Sequence, residues 1–174
     1  WKLMAHTMKA YYYFYIFNVL IAFVISALVA ITKNERERIK FLSEHDAMTG
    51  AYNRQAGFLR LSQLHKRSAK DDCTISVCFL DINGLKDVNA VLGHEAGNEL
   101  IHSVVDGIKR SIRHDDFIAR LGGDEFLIIF KGLDESQAEQ IWKRIVKEYE
   151  RINENDKRKY LISVSHGIES YQCD

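Results

Sequence analysis

Hydrophobic and polar positions along this chain fall into two regimes. Tyr11 to Thr32 (YYYFYIFNVLIAFVISALVAIT) contains no charged side chain. At ~1.5 Å per helical residue it reaches roughly 33 Å, against a hydrocarbon core of about 30 Å, so it reads as one membrane-spanning helix rather than a cleaved leader. From Lys33 to Glu44 charge returns, and Leu28, Thr32, Glu35, Ile39 and Leu42 alternate at spacings of four and three. That is the seam of a juxtamembrane signalling helix, pairing or plainly solvated. Helices and strands then alternate. Helical spacing covers Phe58 to Lys70, His94 to Ile112 and Ser136 to Asn155. Strand patterning covers Thr74 to Leu80, Phe117 to Leu121, Phe126 to Phe130 and Tyr160 to Ile168. The expected fold is an α/β (α+β) sandwich, helices packed on one sheet, preceded by a single transmembrane helix. The expected divisions are a flank over 1–10, a span over 11–32, a stalk over 33–44 and a domain over 45–174.

Charge distribution orients the span. Lys33, Arg36, Arg38 and Lys40 crowd its C-terminal side, against Lys2 and Lys9 on the other. The positive-inside tendency therefore places the domain in the cytoplasm, with Tyr11, Tyr12, Tyr13 and Tyr15 at the outer interface. Over the whole chain 24 Lys and Arg balance 24 Asp and Glu. No basic footprint marks a nucleic-acid partner. Cys73, Cys78 and Cys173 have neither disulfide-framework nor zinc spacing. His102, His114 and His166 also lack ligand spacing and read as surface or packing residues. The chain opens on Trp1 and stops after a strand-like run, as a fragment cut at both ends would.

Candidate chemistry lies at two strand ends. TISVCFL is apolar enough for a central strand and runs directly into Asp81. The second is Arg120-Leu121-Gly122-Gly123-Asp124-Glu125-Phe126. Gly-Gly between apolar runs predicts a hairpin whose glycines take positive φ and leave room for a polyanion. Asp124 and Glu125 would face opposite sides of the strand, so that one meets Asp81. Two carboxylates about 4 Å apart repel by ~4 kcal/mol at an effective dielectric of 20, which calls for a proton or a cation between them. Oxygen-only ligands suit magnesium, which completes its shell with substrate phosphates.

The GGDEF motif at 122–126 resembles the signature of the diguanylate cyclase family. Around it, Asp46-Ala47-Met48-Thr49-Gly50-Ala51-Tyr52-Asn53-Arg54 resembles DxLTGLxNR, Asp81 to Asn89 resembles DxDxFKxxN, and Gly93 to Asn98 resembles GHxxGD. Four motifs in order are far more specific than one. The resemblance implies the GGDEF palm-like fold, a central mainly antiparallel sheet flanked by helices. It implies condensation of two GTP into cyclic di-GMP and pyrophosphate by facing domains of a homodimer at the bacterial inner membrane. It further implies Asp81, Asp124 and the Ile82 carbonyl as ligands of magnesium, with manganese the alternative ion. Asp124 and Glu125 become the catalytic acids, Lys86 and Arg120 neighbours of the phosphates, and Asn89 and Asn98 readers of the base. Gly122 and Gly123 line the substrate, with His94 structural or close to the nucleotide. Arg113 and Asp116 match the RxxD pattern of an inhibitory cyclic di-GMP site.

Departures from the pattern keep two other readings open. Asn98 stands where the family has an aspartate, and an amide, unlike a carboxylate, cannot accept from both guanine donors. An amide does match adenine, so a cyclase of relaxed base specificity follows. Asn83 replaces the second aspartate of DxD, Leu85 a phenylalanine and Ala90 an aspartate, and the family's later phosphate-holding lysine and arginine lie beyond Asp174. These changes are also those of a degenerate module that binds GTP or cyclic di-GMP without turnover.

Overall fold

The structure, a computed structural model, describes residues 1–71, 74–155 and 158–172, leaving aside the side chains of 2, 3, 5–11, 67–71 and 155. Cys73 and Cys173 lie outside the described residues, as do the side chains of Lys2, Lys9 and Tyr11. The chain divides into two compact units, Trp1–Ser43 and Glu44–Asp174.

The first unit is essentially one helix, α1 (Lys2–Glu44). It is long and apolar enough to cross a membrane from Tyr12 onward. From Tyr12 onward its apolar side chains are largely exposed, with Phe23 73% and Val29 60% exposed, which suits an apolar solvent rather than water. Two polar side chains in the run are satisfied by the helix itself: Asn18 Nδ2 donates to Phe14 O at 2.7 Å, and Thr32 Oγ1 donates to Val29 O at 3.0 Å. Such back-bonding removes the penalty of an unpaired polar group in lipid. The helix is continuous through Lys33, where charge returns.

The second unit is built in the order β1 (Tyr52–Asn53), α2 (Arg54–Asp71), β2 (Thr74–Ile82), α3 (Leu85–Leu92), α4 (His94–Ser111), β3 (Phe117–Arg120), β4 (Glu125–Lys131), α5 (Glu135–Asn155) and β5 (Val164–Gln172). The five strands lie in the order β1-β3-β4-β2-β5. Only β1 and β3 run parallel; β3–β4, β4–β2 and β2–β5 are antiparallel. The mainly antiparallel sheet is therefore as expected, with β4 at its centre and β2 an interior strand between β4 and β5. Cys78, Leu80 and Ile82 of β2 join Leu100, Val104 and Ile108 of α4 and Ile141 and Ile145 of α5 in the main core. Ile75 and Val77, on the other face, pack with Leu61 and Leu64 of α2. Burial on both faces explains why β2 reads as a continuous apolar run instead of an alternating one. Close approach is built in where α4 meets α5. A methyl group on Gly107 would lie 2.6 Å from the Tyr149 ring, whose hydroxyl donates to Val104 O at 2.9 Å.

Three elements differ from the sequence expectation. α3 has no counterpart in it. The helix is brief, and Gly84 at φ 73° and Gly93 at φ 89° bracket it so closely that the periodic signal barely repeats. β1 is only two residues, below any periodic signal. β5 starts at Val164 rather than Tyr160, because the preceding segment is held by side chains: Asn153 Nδ2 donates to Ile162 O at 3.0 Å and Ile162 N donates to Asn153 Oδ1 at 2.8 Å.

Candidate active site

β2 delivers Asp81 to the sheet corner from inside the strand, one residue before its end. Asp81 is the register partner of Glu125, and Ile82 N donates to Asp124 O at 3.0 Å. Directly opposed residues of an antiparallel pair share a face, with Cβ atoms about 4.5–5.5 Å apart. Glu125 is therefore the acid on the Asp81 side, while Asp124 sits in the turn before β4 and adjoins Ile82 through its backbone. All three acids belong to one corner, as the sequence implied, and all three are half-buried.

The Gly-Gly turn does not work as the sequence suggests. Neither glycine has positive φ; that conformation is found at Gly50, Gly84, Gly93 and Gly132. Gly122 is there for space: a methyl group on it would lie 3.0 Å from Glu125 Oε2, so the Glu125 carboxylate is folded back over its own turn. At Gly123 nothing lies within 4 Å of the corresponding position. Glu125 O accepts from Leu121 N at 2.9 Å and Gly122 N at 3.4 Å, closing the loop.

Arg120 holds that loop from below. Its Nε donates to Gly122 O at 3.0 Å and its Nη2 to Gly123 O at 2.9 Å. Its Nη1 pairs with Asp46 Oδ1 at 3.1 Å. Asp46 in turn accepts from Thr49 N at 2.9 Å and Thr49 Oγ1 at 2.7 Å. Burial pushes the Asp46 carboxyl up, but the Thr49 hydroxyl and amide and then Arg120 outweigh it, and the net shift is downward. Lys109 Nζ adds a bond to Thr49 O at 2.8 Å. Asp46 is the functional residue whose role sequence reasoning missed. It heads the first motif, but nothing in the string joins it to a partner 74 positions away.

Lys86 and Asn89 stand on α3, and His94 and Asn98 on the first turns of α4. Lys86, His94 and Asn98 are exposed and Asn89 is half-buried. A methyl group on Gly97 would lie 2.0 Å from Asn89 Oδ1, so the Asn89 amide rests on the α4 turn that carries Asn98. Arg113 is exposed, whereas Asp116 is 6% exposed and spent on the backbone. Asp116 Oδ2 accepts from Arg113 N at 3.0 Å and Oδ1 from Lys131 N at 3.3 Å. His102 and His114 are at the surface, while His166 stacks on Trp142 at 4.1 Å.

Among the described residues no three His, Cys, Asp or Glu side chains gather around one point. The donors at the corner are carboxylates and main-chain carbonyls, all oxygen. That set fits a hard divalent ion that takes one or two carboxylates and fills its shell from substrate and water.

A mainly antiparallel sheet backed by helices, with three acids at one corner, is the frame in which these oxygen donors stand. Residues 43–174 match the family model described as diguanylate cyclase, GGDEF domain, and the chain belongs to that family. It is 33% identical over 145 residues to the bifunctional diguanylate cyclase/cyclic di-GMP phosphodiesterase MucR of Pseudomonas aeruginosa, covering 83% of this chain and 21% of MucR. It is 37% identical over 107 residues to the probable diguanylate cyclase DgcJ of Escherichia coli, covering 62% of this chain and 22% of DgcJ. Among solved structures, the coiled coil and GGDEF domain of DgcB from Caulobacter crescentus, in complex with c-di-GMP, superposes with a TM-score of 0.75 at 25% identity, covering 84% of this chain and 79% of DgcB. The chain thus spans about a fifth of the length of these curated relatives.

Proposed function

We propose that this chain is a membrane-anchored part of a diguanylate cyclase that condenses two GTP into cyclic di-GMP and pyrophosphate. The observation that carries the reading is the sheet corner, where Asp81 faces Glu125 and Ile82 bonds to Asp124. Asp81, Asp124 and the Ile82 carbonyl would hold magnesium, or manganese in its place. A bound divalent ion neutralises phosphate charge and lowers the pKa of a nearby hydroxyl.

The remaining work falls to the chain. Asp124, with Glu125 beside it, takes the proton of the ribose 3′-hydroxyl. The 3′-oxygen bonds to the α-phosphorus of the other GTP as that phosphorus releases pyrophosphate. Lys86 on α3 draws the phosphates, and the open side of Gly123 leaves them room. Asn89 and Asn98 contact the base, with His94 close to the nucleotide. Arg120 acts on the phosphates through the turn it clamps, since its donors already serve Gly122, Gly123 and Asp46. Phosphoryl transfer needs mainly such positioning and charge neutralisation.

Each domain holds one GTP, so the working unit is a homodimer, with the span at 11–32 and stalk at 33–44 pairing chains in the inner membrane. The self-satisfied Asn18 and Thr32 support that location, and Lys33, Arg36, Arg38 and Lys40 put the domain in the cytoplasm. Feedback by cyclic di-GMP uses exposed Arg113, with Asp116 shaping the loop. The test is divalent-ion-dependent turnover of GTP by the full-length protein beside Asp124→Ala. Cyclic di-GMP from wild type and none from the variant is expected; nucleotide binding without product from either would establish the non-catalytic reading instead.

A further inference from the structure

Between the strand end that carries Asp81 and Ile82 and the helix that carries Lys86 and Asn89 stand two residues, Asn83 and Gly84. Gly84 at φ 73° turns the chain into α3. Asn83 makes three bonds, two to Ser163 just before β5 and one to Ser165 within it. Its N–H donates to Ser163 O at 3.0 Å, its Nδ2 donates to Ser163 Oγ at 3.0 Å, and its Oδ1 accepts from Ser165 Oγ at 2.9 Å. Ser165 is also the register partner of Asp81. The junction between the two groups of site residues is thereby tied to the entry of a neighbouring strand 80 to 82 positions later in the chain, through both ends of one amide.

The chemistry of that amide is specific. It donates to one serine hydroxyl and accepts from the other; an aspartate could only accept, and would hold both serines only if the Ser163 hydroxyl turned round to donate. An aspartate would also add a carboxylate beside Asp81. We infer that Asn83 is a positioning residue. With Ser163 and Ser165 it forms a latch that sets the direction in which the chain leaves β2, and so the placement of Asp81 and the Ile82 carbonyl relative to Lys86. The inference rests on the proposed ion site, and deepens it.

The test measures binding of Mn2+ to the full-length protein with a non-hydrolysable GTP analogue, from the free-ion electron paramagnetic resonance signal. Wild type is compared with Asn83→Ala, Ser165→Ala, the double variant, Asn83→Asp and Asp81→Ala, each checked by far-ultraviolet circular dichroism. Both side-chain bonds lie at the surface, so loss of one corresponds to about a two- to fivefold weaker affinity. Ser165→Ala should show that loss and Asn83→Ala, which removes two such bonds, at least as much; the double variant should be no worse than Asn83→Ala, the mark of a shared interaction. Asn83→Asp should also bind more weakly despite its added charge. Additive losses, wild-type binding in Asn83→Ala, or tighter binding in Asn83→Asp overturns the latch. If Asn83→Ala does not fold, Ser165→Ala and Asn83→Asp decide the matter alone. Asp81→Ala separates the two levels: wild-type affinity there overturns the ion site and the latch with it. Loss there, beside wild-type affinity in both Asn83 variants, overturns the latch only.

Discussion

Arg120→Ala should unclamp the turn that carries Asp124. Arg120 is only 16% exposed at its side chain and makes three bonds to oxygen, at Gly122 O, Gly123 O and Asp46 Oδ1, besides a weak one to Met48 Sδ. A hydrogen bond involving a charged group contributes about 1.5–3 kcal/mol when sheltered and less toward solvent, where exposed ion pairs contribute ~0–1 kcal/mol. Gly123 O lies at the exposed end, and Asp46 retains its two bonds from Thr49. The expected loss is therefore about 2–4 kcal/mol, with Arg120→Lys, which keeps the charge but loses the fork, near half of that. The assay is urea unfolding of the detergent-solubilised chain, read from the fluorescence of buried Trp142, at unchanged m-value. The pH dependence supplies a second readout. The lowered Asp46 pKa means a contribution fully present above the unfolded value of ~3.9 and lost as pH falls through the lower folded value. Removing Arg120 raises that folded value toward the ordinary one, so stability should fall less steeply below about pH 4 in the variant. A change within about 0.5 kcal/mol, the scale of an ordinary surface substitution, together with an unaltered acid slope, would refute the clamp.

Further outcomes are expected elsewhere. Gly97→Ala places a methyl group 2.0 Å from Asn89 Oδ1, so the amide must rotate away; steady-state kinetics should show KM for nucleotide rising several-fold with kcat less affected. If Asn98 relaxes base selection, mixed ATP and GTP should yield a hybrid cyclic dinucleotide that Asn98→Asp does not make, by chromatography of the products. Gly57→Ala sets its methyl group 2.4 Å from Ala119 Cβ, a rigid neighbour, and should destabilise by about 1–3 kcal/mol in the same urea assay. Cys78 is fully buried, and burial, then the Glu139 charge, pushes its thiol up to about 12. Peptide mass spectrometry of the native protein after alkylation at neutral pH should find Cys78 unmodified, its thiolate being absent.

Much of the architecture was legible because it is written in local periodicity. The apolar run of α1, the spacing of Leu100, Val104 and Ile108, and the apolar stretch ending at Asp81 each follow from which face must leave water. The acids of the site were legible too, since a paired-carboxylate corner needs residue types that a plain hairpin does not. Long-range pairing decided the rest. Register made Glu125 the partner of Asp81 and left Asp124 in the turn. Packing showed that Gly122 is small to admit the Glu125 carboxylate instead of to permit an unusual φ. Asp46 found Arg120, and Asn83 found Ser163 and Ser165, only across folded space. Periodicity reports burial because each residue meets solvent or core on its own account. A hydrogen bond between distant side chains depends on where two separate elements come to rest, and no local pattern of residues encodes that.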